Sequence, residues 1–196
     1  MPSFRDIFRR ASESEKAQKR MEAANKTNLR GTNELFRAIE RGAHSDVVKL
    51  IEDGADIHAR SKSQSMVSNM MFRVPYAAGS TPLHAAALLG HFNIADTLLR
   101  HGADPNVRNN EGHTALDYAL MSHAWFEDSL AKKQQSSVTL ARFVTAAADK
   151  VNIYQRTITL LLARSGKPGL LELPERFKEM IPAKRRKGPQ EDAPGL

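Results

Sequence analysis

The chain of 196 residues contains no cysteine. This excludes a disulfide framework and thiolate metal sites, and suits a reducing, cytoplasmic setting. No apolar run approaches the ~18 residues that a membrane-spanning helix requires, so no span is expected. The opening MPSFRDIFRR is charged where the apolar core of a secretory leader would run, and no leader is expected. A Gly-rich phosphate loop, a nucleophile elbow and a metal motif are all missing. No serine has an identifiable His and carboxylate set, and no His or carboxylate pair has metal-ligand spacing. An enzyme therefore ranks last among the function classes, and no cofactor is expected. What remains, at 41% hydrophobic residues, suffices for one cored domain or a short repeat array.

The formal net charge of +7 invites a nucleic-acid partner, but the charge lies mostly at the ends. Residues 1–30 carry +4, residues 31–112 carry −1, and residues 113–166 and 167–196 carry +2 each. A phosphate-tracking surface needs clustered Lys and Arg, so the near-neutral middle argues against one.

The chain repeats itself. Gly79, Thr81, Leu83 and Ala86 recur as Gly112, Thr114, Leu116 and Ala119, each 33 residues on. Gly31, Leu35, Ala38, Gly42, Gly54, Ala55 and Asp56 anticipate Gly79, Leu83, Ala86, Gly90, Gly102, Ala103 and Asp104 at an offset of 48, which is one period plus 15. This period, with TPLHAA and GADPN, resembles the ankyrin repeat, a turn followed by two antiparallel helices. The resemblance is specific over Gly79–Asn110, good over Gly31–Arg60 and partial over Gly112–Gly166. It implies an all-α solenoid of about three helix-turn-helix units, at about 31–60, 79–110 and 112–166.

Residue physics points the same way. Thr81 can cap a helix whose first position is Pro82, where a missing N–H costs nothing. Leu83, Ala86 and Ala87 follow at helical spacing, and Gly90 suits a left-handed stop. Ile94, Ala95, Leu98 and Leu99 line a second helix that Gly102 ends. Each helix pair has two apolar flanks, so no unit is stable until neighbours cover it. In the first unit Asn33 and Glu34 replace Thr-Pro and Phe36 replaces the histidine, as suits a unit with one wet side. His84, His91 and His113 are assigned structural, bridging roles.

Two insertions break the period. The first, about 61–77, falls in the loop that ankyrin proteins use as a finger, and is unusually apolar: Met66, Val67, Met70, Met71, Phe72, Val74 and Tyr76. Methionine clusters suit adaptable contacts. By resemblance Leu88 and Leu89 end the first helix of the second unit on the concave, partner-binding face, with Met121 in the corresponding place of the third. Two readings stay open: the loop folds back and buries the leucines, or loop and patch together receive a partner's apolar helix or strand. Arg108 and Asn110, on the neighbouring finger, join the candidate partner-binding set. The second insertion, about 123–152, extends both arms of the third unit. Leu140, Phe143, Val144, Ala147, Val151, Tyr154, Ile158, Leu161 and Leu162 fall in one sector, predicting a single helix from about Ser137 to Arg164. The preceding helix is expected to continue to Lys133 with Trp125 near an exposed tip, each arm gaining about 23 Å.

At the N-terminus, segment 1–30, Phe4, Ile7, Phe8 and Ala11 follow i, i+3, i+4, i+7, predicting an amphipathic basic helix that continues to Asn25 and either packs on the first unit or frays in solvent; a membrane-surface helix is the minority reading, because Asp6, Glu13 and Glu15 dilute the charge. A capping helix is expected over 167–182, opening at Pro174, followed by a polar tail over 183–196. Lys184, Arg185, Arg186 and Lys187 match a nuclear-import tetrad; a solubilising tail is the competing reading. The favoured function is a monomeric, non-catalytic adaptor that binds a protein partner through its concave face and Met-rich finger. The alternatives are a nuclear or nucleic-acid-associated regulator using the basic tails, and a delivered bacterial effector acting by partner binding.

Overall fold

A computed structural model describes residues 4–28, 32–63, 65–69, 72–134, 141–169 and 171–174. Its elements run α1 (Phe4–Asn25), α2 (Glu34–Glu40), α3 (His44–Glu52), β1 (Ser65–Asn69), β2 (Phe72–Tyr76), α4 (Pro82–Leu89), α5 (Phe92–Arg100), α6 (Ala115–Gln134) and α7 (Ala141–Ala163). The helices α2–α3, α4–α5 and α6–α7 are antiparallel pairs stacked side by side. The first helix of each pair packs on the first helix of the next, and the second on the second. The fold is the expected all-α repeat stack.

Local chemistry sets the helix ends. Asn33 caps α2 by accepting a hydrogen bond from the Phe36 N–H at 3.2 Å. Pro82 opens α4, and Gly90 closes it with φ 70°. A β-carbon at Gly90 would sit 3.0 Å from the Tyr154 ring, so the left-handed turn also admits the close approach of α7. Leu35, Leu83 and Leu116, the equivalent leucines of the three units, are buried in one shared cluster with Ile39, Ala86, Leu98, Ile158 and Leu161. Full burial of each leucine contributes roughly 1.5–3 kcal/mol. The stack must therefore remain continuous to stay dry.

The first insertion was expected as a loop; Ser65–Asn69 and Phe72–Tyr76 instead pair as antiparallel strands, with Ser65 opposite Tyr76, Val67 opposite Val74 and Asn69 opposite Phe72. Val67, Phe72, Val74 and Tyr76 are β-branched or aromatic residues that favour a pleated strand. The expected long helix of the third unit is present over Ala141–Ala163, and its partner α6 runs on to Gln134. α1 reaches Asn25 as expected and docks by its last turn. The Asn25 amide donates to the Gly54 carbonyl at 3.0 Å and accepts from the Asp56 N–H at 2.7 Å, while Ala24 is buried. The side chains of Phe4, Ile7, Phe8 and Ala11, the predicted helix opening at Pro174, and the Lys184–Lys187 tetrad lie outside the described residues or side chains.

Candidate interaction surface

The turns between units interlock by backbone and side-chain hydrogen bonds that repeat with the sequence. Arg60 donates to the Arg108 carbonyl at 3.0 Å, and Arg108 in turn donates to the Gly169 carbonyl at 2.9 Å. Each arginine thus reaches forward one unit, and the last rung falls on the segment after α7.

The same logic operates at the helix starts. His84 Nδ1 accepts from the Thr81 N–H at 3.1 Å, which assigns the proton to Nε2; that atom donates to the His113 carbonyl at 3.1 Å. The ring is 1% exposed, and burial holds its pKa down at about 4, so it is neutral. One period later the residue is Asp117, fully buried. Its carboxylate accepts from the N–H groups of Thr114 at 2.8 Å, Gly169 at 2.6 Å and Leu171 at 3.1 Å. In the second unit a histidine donates to a carbonyl of the next turn; in the third a carboxylate gathers amides of the segment that follows α7. Sequence reading passed over Asp117. The signal was there, because a shift of 33 lays Thr114 and Asp117 on Thr81 and His84.

Tyr118, one residue on, anchors the foot of the hairpin: its hydroxyl accepts from the Ala77 N–H at 2.9 Å and the Asn109 amide at 3.0 Å. Burial raises the Tyr118 pKa, keeping the phenol neutral. Tyr76 anchors the same foot from the other side. It is fully buried, stacks on Phe36 at 6.1 Å between ring centroids, and donates to Glu40 at 3.0 Å.

These contacts revise the predicted partner-binding set. Leu88 and Leu89 are 1% and 3% exposed, not part of an open patch. The lengthened arms of the third unit close over this helix end, where Ser122 and Tyr154 both donate to the Leu88 carbonyl, at 3.1 and 2.7 Å. Tyr76 is likewise a core anchor. Arg108 is exposed but spends a guanidinium N–H on Gly169, and Asn110 is exposed with its N–H on the Ala78 carbonyl. Met66 and Phe72 lie within β1 and β2, while Met70 and Met71, together with the side chains of all four, fall outside what the structure describes. Met121 is 41% exposed, and Trp125, one helical turn further along α6, is 40% exposed. At i, i+3 and i+7, Tyr118, Met121 and Trp125 share one face of α6 that begins at the hairpin foot.

A stack of paired helices joined by interlocked turns, with Thr-Pro-Leu-His at a helix start, defines a helical repeat solenoid. Residues 74–119 match the family model for ankyrin repeats in many copies. Relatives include the mouse ankyrin repeat and SOCS box protein 16, 32% identical over 114 residues, covering 45% of this chain and 25% of that protein. The mouse 2-5A-dependent ribonuclease is 33% identical over 89 residues, covering 45% of this chain and 10% of its own. The human ankyrin repeat domain-containing protein 13B is 50% identical over 42 residues, covering 21% and 7%. Residues 74–119 thus match ankyrin repeats, and the chain spans a quarter or less of the length of these relatives. Among the described residues no helix is long and apolar enough to cross a membrane, and no group of three or more His, Asp or Glu is placed to hold a metal ion.

Proposed function

We propose that this chain is a non-catalytic adaptor that binds a partner protein along the α6 face bearing Met121 and Trp125, together with the Met-rich hairpin at its foot. The observation that carries this reading is that Met121 and Trp125, 41% and 40% exposed, share one helix face, while most other large apolar side chains among the described residues are buried. Tryptophan supplies wide contact area at low entropic cost, and methionine adapts to an irregular partner.

The test is a capture experiment from the native cell with purified wild-type chain and a Met121→Glu/Trp125→Glu variant as baits. Both positions are only about 40% exposed and Trp125 packs edge-on against Phe126 at 5.0 Å, so the variant should lose about 1–2 kcal/mol and remain folded, as a thermal unfolding scan checks. A protein identified by mass spectrometry with the first bait and absent with the second, and bound directly when purified, supports the proposal. Equal retention of every captured protein by the variant overturns it.

A further inference from the structure

The opposite side of the stack, where α7 lies along α5, carries a second arrangement. A trough of about 600 Å³ is lined by Phe92, Leu160, Ala163, Thr159, Gln155 and Asn152, with Arg156 at one end. Beyond Arg156 opens a smaller notch of about 300 Å³, between the Gly42 and Gly90 turns and walled by His44, His91 and Asn93. Phe92 and Arg156 line both, so they form the neck between an apolar trough and a polar notch.

The neck is built in a particular way. The Arg156 guanidinium, with its planar set of N–H groups, places its central carbon 4.5 Å over the Phe92 ring centroid. None of those N–H groups has an acceptor among the described residues. The nearby carboxylates are engaged elsewhere: Asp96 pairs with Arg100 at 2.7 Å and Arg164 at 3.5 Å, and Asp46 faces Arg41 at 3.9 Å. No Asp or Glu lines either cavity. A second cation, Lys150, is close enough to His91 to disfavour its protonation, and burial disfavours the charge on Lys150 itself. The two cavities are thus lined by a guanidinium and by no carboxylate, beside an apolar trough.

We propose that this face is a second docking site, for an acidic peptide segment of a partner protein. A carboxylate of that segment forks onto Arg156, and an apolar side chain beside it enters the trough of Phe92, Leu160 and Ala163. Charge complementarity selects this occupant. A guanidinium with one face stacked keeps its planar donors free for bidentate pairing with a carboxylate, and an acidic segment supplies the charge that both cavities lack. The site lies on α5 and α7, whereas the Met121–Trp125 face lies on α6, so either can fail without the other.

A random displayed 12-residue peptide library selected on the full chain tests this. The expected outcome is a consensus pairing Asp or Glu with a nearby Leu or Phe. A synthetic peptide of that consensus, measured by fluorescence polarisation, should bind Arg156→Ala about tenfold or more weakly and Arg156→Lys intermediately, as a buried charge pair requires. Arg100→Ala, an exposed arginine already paired with Asp96, should change affinity by less than about twofold, excluding a general charge effect. Since Arg156 is exposed, thermal unfolding of the variants should match wild type. The proposal is overturned if no peptide enriches, if the consensus lacks an acidic residue, or if Arg156→Ala binds as well as wild type. It is also overturned if Met121→Glu/Trp125→Glu, rather than Arg156→Ala, abolishes binding, or if Arg156 proves to drive sedimentation with phosphatidylserine vesicles and no peptide.

Discussion

Lowering the pH should unlock the stack at His84. The imidazole is buried, accepts the Thr81 N–H on Nδ1 and donates from Nε2 to the His113 carbonyl, so it is held neutral with a pKa of about 4 against an ordinary 6.5. Protonating Nδ1 would set a donor against the Thr81 N–H and strand a cation in the core. The folded pKa is depressed, so the unfolded chain binds the extra proton first. Stability from this group is fully present above pH 6.5 and is lost as pH falls towards 4. At 1.36 kcal/mol per unit, the whole shift corresponds to about 3 kcal/mol, and about 2–3 kcal/mol is lost by pH 4.5. His91, also lowered by burial and by Lys150, adds in the same direction. Urea unfolding at a series of pH values for wild type and His84→Gln isolates the effect. The stability difference between the two proteins should shrink by about 2–3 kcal/mol between pH 7 and pH 4.5. A difference constant to within about 0.5 kcal/mol would refute the reasoning. As a second readout, the His84 imidazole resonances should stay at their neutral positions down to about pH 5.

Asp117→Ala should cost about 2–4 kcal/mol by leaving the buried Thr114 amide and the partly buried amides of Gly169 and Leu171 without their acceptor, and hydrogen exchange should show the Gly169 and Leu171 amides losing protection before those of α4. Leu88→Glu places a charge in the core and should cost about 3–5 kcal/mol or prevent folding; thermal unfolding unchanged from wild type would mean that the helix end is open after all. Gly90→Ala forces a β-carbon onto Tyr154 at φ 70° and should lower stability by about 1–3 kcal/mol in denaturant titration.

Much of this architecture was readable along the chain. The period of 33, the Thr-Pro helix start and the glycine stops are local signals, because helix caps and turns are decided by a few neighbouring residues. The helix over Ala141–Ala163 was equally legible from its apolar stripe, whose members Tyr154, Ile158, Leu161 and Leu162 are buried: an amphipathic face is a property of spacing alone. Less was readable at the interaction surface. Leu88 and Leu89 look like an open patch by alignment of the units, whereas in the fold they are buried at a helix end that Ser122 of α6 and Tyr154 of α7 close over. Tyr76 sits in an apolar finger and reads as a contact residue, yet it stacks on Phe36, 40 positions earlier in the chain. The trough and its guanidinium have no sequence signature, since Phe92 and Arg156 meet only when α7 lies along α5.

The sequence by itself determined which segments become helices, where each stops, and that they must stack, because periodicity, caps and apolar flanks act over a few residues or demand a neighbour of the same kind. The tertiary structure alone decided which apolar side chains stay open and which polar groups find partners. Asp117 receives amides 52 and 54 residues away, and Tyr154 reaches a carbonyl 66 residues away. Exposure and buried polar satisfaction depend on what covers a residue in space, and no local pattern records the identity of that cover.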